Sequence, residues 1–121
     1  MFELQIKLDF NAAHHLREYK GKCENLHGHN WKVDIFVRCE KLNNEGMVMD
    51  FKDIRSIADE ILSKFDHKYL NEVPPFDKIN PTSENIAKHI YDELNKKYKE
   101  RNVTLTKVTV WETDGASASY F

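Results

Sequence analysis

Two segments of alternating apolar residues constrain the fold of this chain more than any other feature. Every second residue is apolar from Phe2 to Phe10, and the same alternation returns from Trp31 to Cys39. Because successive side chains of a strand point to opposite faces, each segment predicts a β-strand with one buried face. We expect the two strands to pair antiparallel, across a connection of about twenty residues that is too long for a tight hairpin.

Helical spacing appears in the middle of the chain. Apolar residues recur three and four positions apart from Phe51 to Phe65, and Asp50 before them suits a helix N-terminus. A second helix is expected to open at Pro81-Thr82-Ser83-Glu84, with Thr82 or Ser83 as its cap, and to continue to Tyr98. The sequence therefore predicts two amphipathic helices separated by a loop that contains two prolines.

Two further strands are predicted after the second helix. The segment from Val103 to Thr113 is rich in valine and threonine, and its alternation changes phase near Lys107, which indicates a β-bulge. Asp114-Gly115 is a turn signal, and residues 116–121 form the next strand. The order β-β-α-α-β-β predicts one α+β domain over residues 1–121, an antiparallel sheet with both helices on one face. Its two edge strands are compatible both with a monomer and with an oligomer joined through the edges.

Composition excludes several classes of partner. The chain has 121 residues and a formal net charge of −2, which favours neither nucleic acid nor an anionic membrane as the main partner. No apolar run is long enough to cross a bilayer, and the first residues lack the pattern of a signal peptide. We therefore expect a cytoplasmic protein whose cysteines are reduced thiols.

Histidines and one cysteine form the strongest chemical signal. In Cys23-x-x-x-His27-Gly28-His29 the two histidines lie two positions apart, so an extended backbone turns both to one side. Either residue of the pair His14-His15 supplies a third imidazole, and three imidazoles suit a catalytic Zn²⁺ with one open position. The alternative is a closed structural site in which Cys23 is the fourth ligand. Ligand count does not separate the two.

Two carboxylates, Asp66 and Glu112, are candidate site residues because of their positions in the sequence. Asp66 precedes His67, and a histidine oriented by a carboxylate is the usual relay for a thiol such as Cys23. A turn cap followed by a surface histidine is the more common explanation of such a pair. Glu112 ends an apolar strand, where a carboxylate can anchor the guanidine-like edge of a ring such as a pterin. Its alternative is an exposed charge at the end of a strand.

Taken in order, these residues resemble the 6-pyruvoyltetrahydropterin synthase superfamily over nearly the whole chain. The three-residue gap between the cysteine and the His-Gly-His motif is similar to that of bacterial 6-carboxytetrahydropterin synthases of queuosine biosynthesis. The matching segments are Phe10-x-Ala12-Ala13-His14, Cys23-x-x-x-His27-Gly28-His29, Gly46-x-x-x-Asp50-Phe51, Asp66-His67-x-Tyr69-Leu70-Asn71, Pro81-Thr82-Ser83-Glu84 and Trp111-Glu112-Thr113.

The resemblance implies a role for each of these site residues. It implies that zinc is bound by His14, His27 and His29, with His14 chosen over His15. It implies that Cys23 is the catalytic base and that Asp66 and His67 form its relay. It also implies that Glu112 anchors the pterin ring, with the hydroxyl residues Thr82 and Ser83 near it.

The resemblance further implies a tunnelling fold whose subunits join their sheets into a barrel, as a hexamer-type homo-oligomer with active sites at the interfaces. The implied activity is a lyase that converts 7,8-dihydroneopterin triphosphate to 6-carboxy-5,6,7,8-tetrahydropterin, with release of acetaldehyde and triphosphate. The alternatives are the pyruvoyl product, a dihydroneopterin-type aldol cleavage, and a binding module with a closed Cys-His₃ zinc. Lys68 stands where relatives often have another histidine. Arg17, Lys20 and Lys22 are nearby cations, but no motif assigns any of them to the triphosphate.

Overall fold

The computed structural model describes residues 1–18 and 25–121 as a five-stranded sheet with two helices. A short 3-10 helix, Leu70–Glu72, lies between the third strand and the second helix. The other elements are β1 (Phe2–His14), β2 (His27–Cys39), α1 (Phe51–Leu62), β3 (Lys68–Tyr69), α2 (Ser83–Lys99), β4 (Thr104–Thr113) and β5 (Ala116–Tyr120). The predicted α+β class is confirmed, with one short strand added to the predicted order.

The sheet has the strand order β3-β1-β2-β4-β5. The pairs β1–β2, β2–β4 and β4–β5 are antiparallel, as expected. The prediction of a purely antiparallel sheet is wrong at one edge, because β3 pairs parallel to β1 opposite Ala12 and Ala13. A strand of two residues is too short for any alternation to reveal it in the sequence.

The first two strands are longer than their apolar alternation. β1 continues past Phe10 to His14, and β2 begins at His27 rather than at Trp31. The long loop predicted between them is therefore wrong in extent, since His14, His27 and His29 stand on paired strands. Alanine, asparagine and glycine have low strand propensity, but pairing with a neighbouring strand overrides such preferences.

Both helices pack on one face of the sheet, where a single apolar core forms. Alternate residues of β1, β2 and β4 supply the sheet side of this core. Tyr98 of α2 is fully buried, and its hydroxyl donates a 2.8 Å hydrogen bond to the carbonyl of Ile54 in α1. The prediction that both helices cover one face is confirmed.

Local predictions at the helix start and in β4 also hold. Thr82 is the N-cap of α2, because its hydroxyl accepts a 3.1 Å hydrogen bond from the backbone N–H of Asn85. In β4 the register shifts between the partners of Phe36 and Val37, so that Thr106 is the extra residue of a bulge next to Lys107. In the described part of the chain, no helix combines the length and the apolar character that a membrane span requires.

Candidate metal centre

Three histidines converge at the end of the sheet where β1 stops and β2 starts. His14 lies directly opposite His27 in the β1–β2 ladder, and His29 lies opposite Ala12. Residues opposite each other in a ladder, or two apart along a strand, share a face of the sheet. The three imidazoles are therefore on the same face, and the Nε2 atoms of His14 and His27 lie 3.0 Å apart.

Glu112 of β4 completes this group. Its Oε1 lies 3.1 Å from Nε2 of His14, 3.2 Å from Nε2 of His29 and 3.8 Å from Nε2 of His27. The ligand atoms of all four residues lie within 4.8 Å of one another. Zinc–ligand bonds of about 2.0–2.1 Å in a tetrahedron imply ligand atoms about 3.3 Å apart. The four side chains thus fit Zn²⁺, with the carboxylate near the fourth corner.

Apolar packing restricts the histidines on the core side. His14 is only 2% exposed. The ring of Trp31, which is fully buried, stands nearly perpendicular to two of the imidazoles, with centroids 4.8 Å from His14 and 5.4 Å from His29. This wall limits the side-chain rotamers of the two histidines and keeps water from their core side.

Backbone carbonyls set which nitrogen of two imidazoles is protonated. Nδ1 of His14 lies 2.8 Å from the carbonyl oxygen of Pro81, and Nδ1 of His27 lies 3.0 Å from that of Asn25. Because a carbonyl only accepts, each Nδ1 carries the proton and donates it. Each Nε2 then presents its lone pair to the cluster, which is the tautomer that a metal ligand needs.

His15, the other candidate for the third imidazole, faces elsewhere. Its Nδ1 is hydrogen-bonded to the hydroxyl of Tyr69, and the two rings are stacked with centroids 5.7 Å apart. Its backbone N–H donates to Oδ1 of Asn71 at 2.9 Å. Within the described residues, His14 and not His15 therefore belongs to the group that could hold a metal ion.

Asp66 and His67 form a corner that docks on the edge of β1. Oδ1 of Asp66 accepts a 2.9 Å hydrogen bond from the N–H of Asn11, and the N–H of His67 donates to the carbonyl of Asn11 at 2.6 Å. Nδ1 of His67 lies 3.1 Å from Oδ1 of Asp66. The Asn11 N–H, helped by the neighbouring imidazole, lowers the pKa of Asp66, so this carboxylate stays ionised beside His67.

The backbone of His67 is in an uncommon conformation. Its φ is +57°, in the left-handed region that non-glycine residues seldom adopt. Such conformations are enriched at functional sites, where surrounding contacts hold them. The His67 side chain is 78% exposed and is not part of the histidine–glutamate group. The corner is thus held in place while its imidazole remains open to solvent.

The other predicted site residues are placed as follows. Cys23, Lys20 and Lys22 lie outside the described residues, so their roles stay predictions. Thr82 and Ser83 are at the start of α2 and directly follow Pro81, whose carbonyl oxygen contacts His14. No sequence signal indicated the carbonyl of Pro81, since a backbone acceptor has no side-chain pattern.

The chain is similar in sequence to known pterin synthases. A family model described as 6-pyruvoyl tetrahydropterin synthase matches residues 3–121. A protein of Archaeoglobus fulgidus named putative 6-carboxy-5,6,7,8-tetrahydropterin synthase is 40% identical over 90% of this chain and 86% of its own length. Human 6-pyruvoyl tetrahydrobiopterin synthase is 36% identical over 98% of this chain and 90% of its own.

A solved structure gives the same result for the fold. The 6-pyruvoyl tetrahydropterin synthase of Caenorhabditis elegans superposes with a TM-score of 0.85 at 30% identity, covering 98% of this chain and 94% of that one.

A further sequence relative, from Synechocystis sp., is named 6-carboxy-5,6,7,8-tetrahydropterin synthase and is 35% identical over 100% of this chain and 94% of its own. The relatives thus carry names for two different products.

Proposed function

Because the chain belongs to the 6-pyruvoyl tetrahydropterin synthase family, we propose that it is a zinc-dependent lyase acting on 7,8-dihydroneopterin triphosphate. With one water, the reaction yields 6-carboxy-5,6,7,8-tetrahydropterin, acetaldehyde and triphosphate, a step of queuosine (7-deazaguanine) biosynthesis. The convergence of three imidazole Nε2 atoms on one point is the observation that carries this proposal. The carboxy product is supported by the name of the relative at 40% identity and by the three-residue gap before His27. Relatives at 35% and 36% identity carry one name of each kind.

His14, His27 and His29 would hold the zinc, which supplies a Lewis acid that polarises the side-chain oxygens of the substrate. Two features of the chain suit this role. The carbonyls that accept from Nδ1 of His14 and His27 keep both Nε2 lone pairs available. The packing of Trp31 keeps the core side of the centre dry, which strengthens electrostatic interactions there.

Proton transfer is assigned to Cys23, Asp66 and His67. Cys23 would remove the proton from the carbon next to the polarised oxygen, and His67 would relay it while Asp66 holds the imidazole. The hydrogen bonds of Asp66 and the left-handed backbone of His67 support this assignment. The exposure of His67, which is not part of the metal-binding group of its own chain, supports active sites built at subunit interfaces. A barrel-forming, hexamer-type homo-oligomer would provide such interfaces.

Glu112 is proposed to anchor the pterin ring, whose guanidine-like edge pairs with a carboxylate through two parallel hydrogen bonds. Thr82 and Ser83 lie at the same end of the molecule and would contact the ring. The position of the Glu112 carboxylate, 3.1–3.8 Å from three Nε2 atoms, supports a second role as fourth ligand before the substrate binds. As ring anchor, the carboxylate would direct the substrate side chain to the metal.

Product analysis tests the proposed reaction. Zinc-loaded protein is incubated with 7,8-dihydroneopterin triphosphate, and the products are identified by mass spectrometry. We expect carboxytetrahydropterin together with acetaldehyde. The pyruvoyl compound would instead make this chain functionally similar to its human relative. A 6-hydroxymethyl pterin with a two-carbon aldehyde would indicate aldol cleavage.

Unchanged substrate would favour the non-enzymatic alternative, a binding module with a closed Cys-His₃ zinc. Cobalt substitution separates the two, because a thiolate ligand produces an intense sulfur-to-cobalt charge-transfer band that an N₃O site lacks. We expect no such band in wild type, and no spectral change in a Cys23→Ser variant. That variant should nevertheless lose turnover.

A further inference from the structure

Arg17 lies three positions after His14, and its guanidinium is directed at main-chain carbonyls. Nη2 donates to the carbonyl oxygens of Asn71 and Phe76 at 3.1 and 2.5 Å, and Nη1 donates to that of Ile79 at 3.1 Å. All three acceptors lie in the connection between β3 and α2. The planar, forked guanidinium can serve several acceptors at once, whereas an ammonium group is a point charge on a flexible stem. Arg17 thus holds one connection together from its outer side.

Two asparagine side chains attach the same connection to the end of β1. Oδ1 of Asn80 accepts from the N–H of Arg17 at 2.8 Å, and its Nδ2 donates to the Arg17 carbonyl at 3.1 Å. Asn71 makes the same pair of bonds, both of 2.9 Å, to the backbone of His15. Each amide satisfies a backbone N–H and C=O as a neighbouring strand would. Residues 15–17 are therefore bound to residues 71–80 without a strand between them.

The connection leads directly to the metal centre. Asn80 is followed by Pro81, the residue whose carbonyl oxygen lies 2.8 Å from Nδ1 of His14. Nδ2 of Asn85 in α2 donates to the carbonyl of Asn80 at 2.9 Å, which holds this point against the helix start. The position of the Pro81 carbonyl is therefore determined by contacts on both sides. Since this carbonyl orients a metal ligand, a shift in the connection would reach the metal.

We propose that Arg17 is a positioning residue of the metal centre, which acts with Asn80 by holding the Pro81 carbonyl against His14. The proposal rests on the zinc site of the proposed function. It differs from the reading of Arg17 as a cation for the triphosphate, because its donors are directed to three carbonyls of the chain itself. The two assignments predict different results for a change that keeps the positive charge.

The experiment compares zinc affinity, by chelator competition, in wild type, Arg17→Lys and Asn80→Ala. Arg101→Lys is the matched control, since the guanidinium of Arg101 makes an exposed 3.3 Å ion pair with Asp53, a residue outside the metal centre. Loss of an outer-shell contact typically weakens metal binding about 10- to 100-fold. We expect zinc to bind about ten-fold more weakly to each of the two test variants, and with wild-type affinity to the control. The two losses should be less than multiplicative in the double variant, because they disturb one structure.

Two further readouts separate positioning from simple stabilisation and from phosphate binding. The visible spectrum of the cobalt-substituted protein should change in Arg17→Lys and Asn80→Ala, because the His14 imidazole is reoriented. Inhibition by inorganic tripolyphosphate should be unchanged in Arg17→Lys. A lower stability of the metal-free variants, with wild-type zinc affinity and spectrum, would overturn the proposal. Weaker tripolyphosphate inhibition with wild-type zinc affinity would assign Arg17 to the triphosphate instead.

Failure of the proposed function is distinguishable from failure of this inference. A wild-type protein that binds no zinc overturns both. A wild type that binds zinc, with variants of equal affinity, overturns only the positioning role of Arg17. Asn80→Ala carries no charge change, so it provides the same test if Arg17→Lys does not fold.

Discussion

The histidine cluster and the Asp66–His67 corner both contact β1, yet their imidazoles differ in burial and in the number of groups that hold them. His14 in the cluster is 2% exposed and is held by Trp31 and by the Pro81 carbonyl. The side chain of His67 is 78% exposed. Strand register assembles the cluster within one chain, whereas the corner presents an oriented imidazole outward. Metal binding should therefore be a property of the single chain, whereas the proposed proton relay would depend on the interfaces of the proposed homo-oligomer.

The largest effect is expected from breaking the cluster, with a built-in control in the neighbouring residue. His14→Ala should weaken zinc binding by roughly a hundred- to a thousand-fold, since one of four ligands supplies about a quarter of a binding energy near 10–16 kcal/mol. His15→Ala should leave zinc affinity nearly unchanged, because His15 is bonded to Tyr69. Chelator competition measures both. Equal losses in the two variants would contradict the assignment of His14.

The next effect concerns the corner alone. His67→Asn removes the imidazole, while asparagine tolerates the left-handed backbone that His67 adopts. We expect kcat to fall about a hundred-fold or more, as for the loss of an acid–base group, with zinc affinity as in wild type. Turnover is measured on zinc-loaded protein. A wild-type kcat would remove His67 from the relay, and a loss of zinc would mean that the two regions are not separate.

Glu112 has two proposed roles, as anchor of the pterin ring and as fourth metal ligand. Glu112→Gln keeps the shape of the side chain but removes the charge, and a hydrogen bond to a charged group contributes about 1.5–3 kcal/mol. If Glu112 anchors the ring, KM should rise about ten- to a hundred-fold in the variant. If Glu112 is the fourth ligand, the variant should bind zinc more weakly in the absence of substrate. We expect both changes; an unchanged KM would leave only the metal role.

The smallest effect comes from His89 of α2, which belongs to neither region. Its ring contacts those of Phe65 and Phe76, with centroids 5.7 and 5.6 Å away. Burial lowers the pKa of His89, so the unfolded chain binds a proton at a higher pH than the native one does. The contribution of His89 to the free energy of unfolding is therefore fully present above about pH 6.5. It is lost as the pH falls through the lowered native pKa.

A His89→Phe variant tests this pH dependence against wild type. The charged groups that act on His89 are Glu93 and Asp92, which raise its pKa, and Lys64 and Lys96, which lower it further. We expect the difference in free energy of unfolding between the two proteins to shift in favour of the variant as pH falls below 6.5. Urea titrations of the zinc-loaded proteins measure it. A difference independent of pH would mean that His89 keeps its ordinary pKa.

Much of the fold could be predicted from the sequence, because periodicity is a local property. Alternation located β1 and β2 with their buried faces, helical spacing located α1 and α2, and a change of phase near Lys107 indicated the bulge at Thr106. The two-residue spacing in His27-Gly28-His29 placed both imidazoles on one side. Each of these conclusions depends only on which way neighbouring side chains point.

Tertiary structure alone decided the rest, because long-range pairing has no local signal. Register extended β1 to His14 and put it opposite His27, while Tyr69 bonded His15 away from the cluster. The β2–β4 pairing carried Glu112 to the imidazoles, and backbone carbonyls such as that of Pro81 fixed their tautomers. The sequence by itself thus determined the residue types and faces of the site. Which of them meet was set by non-local hydrogen bonds.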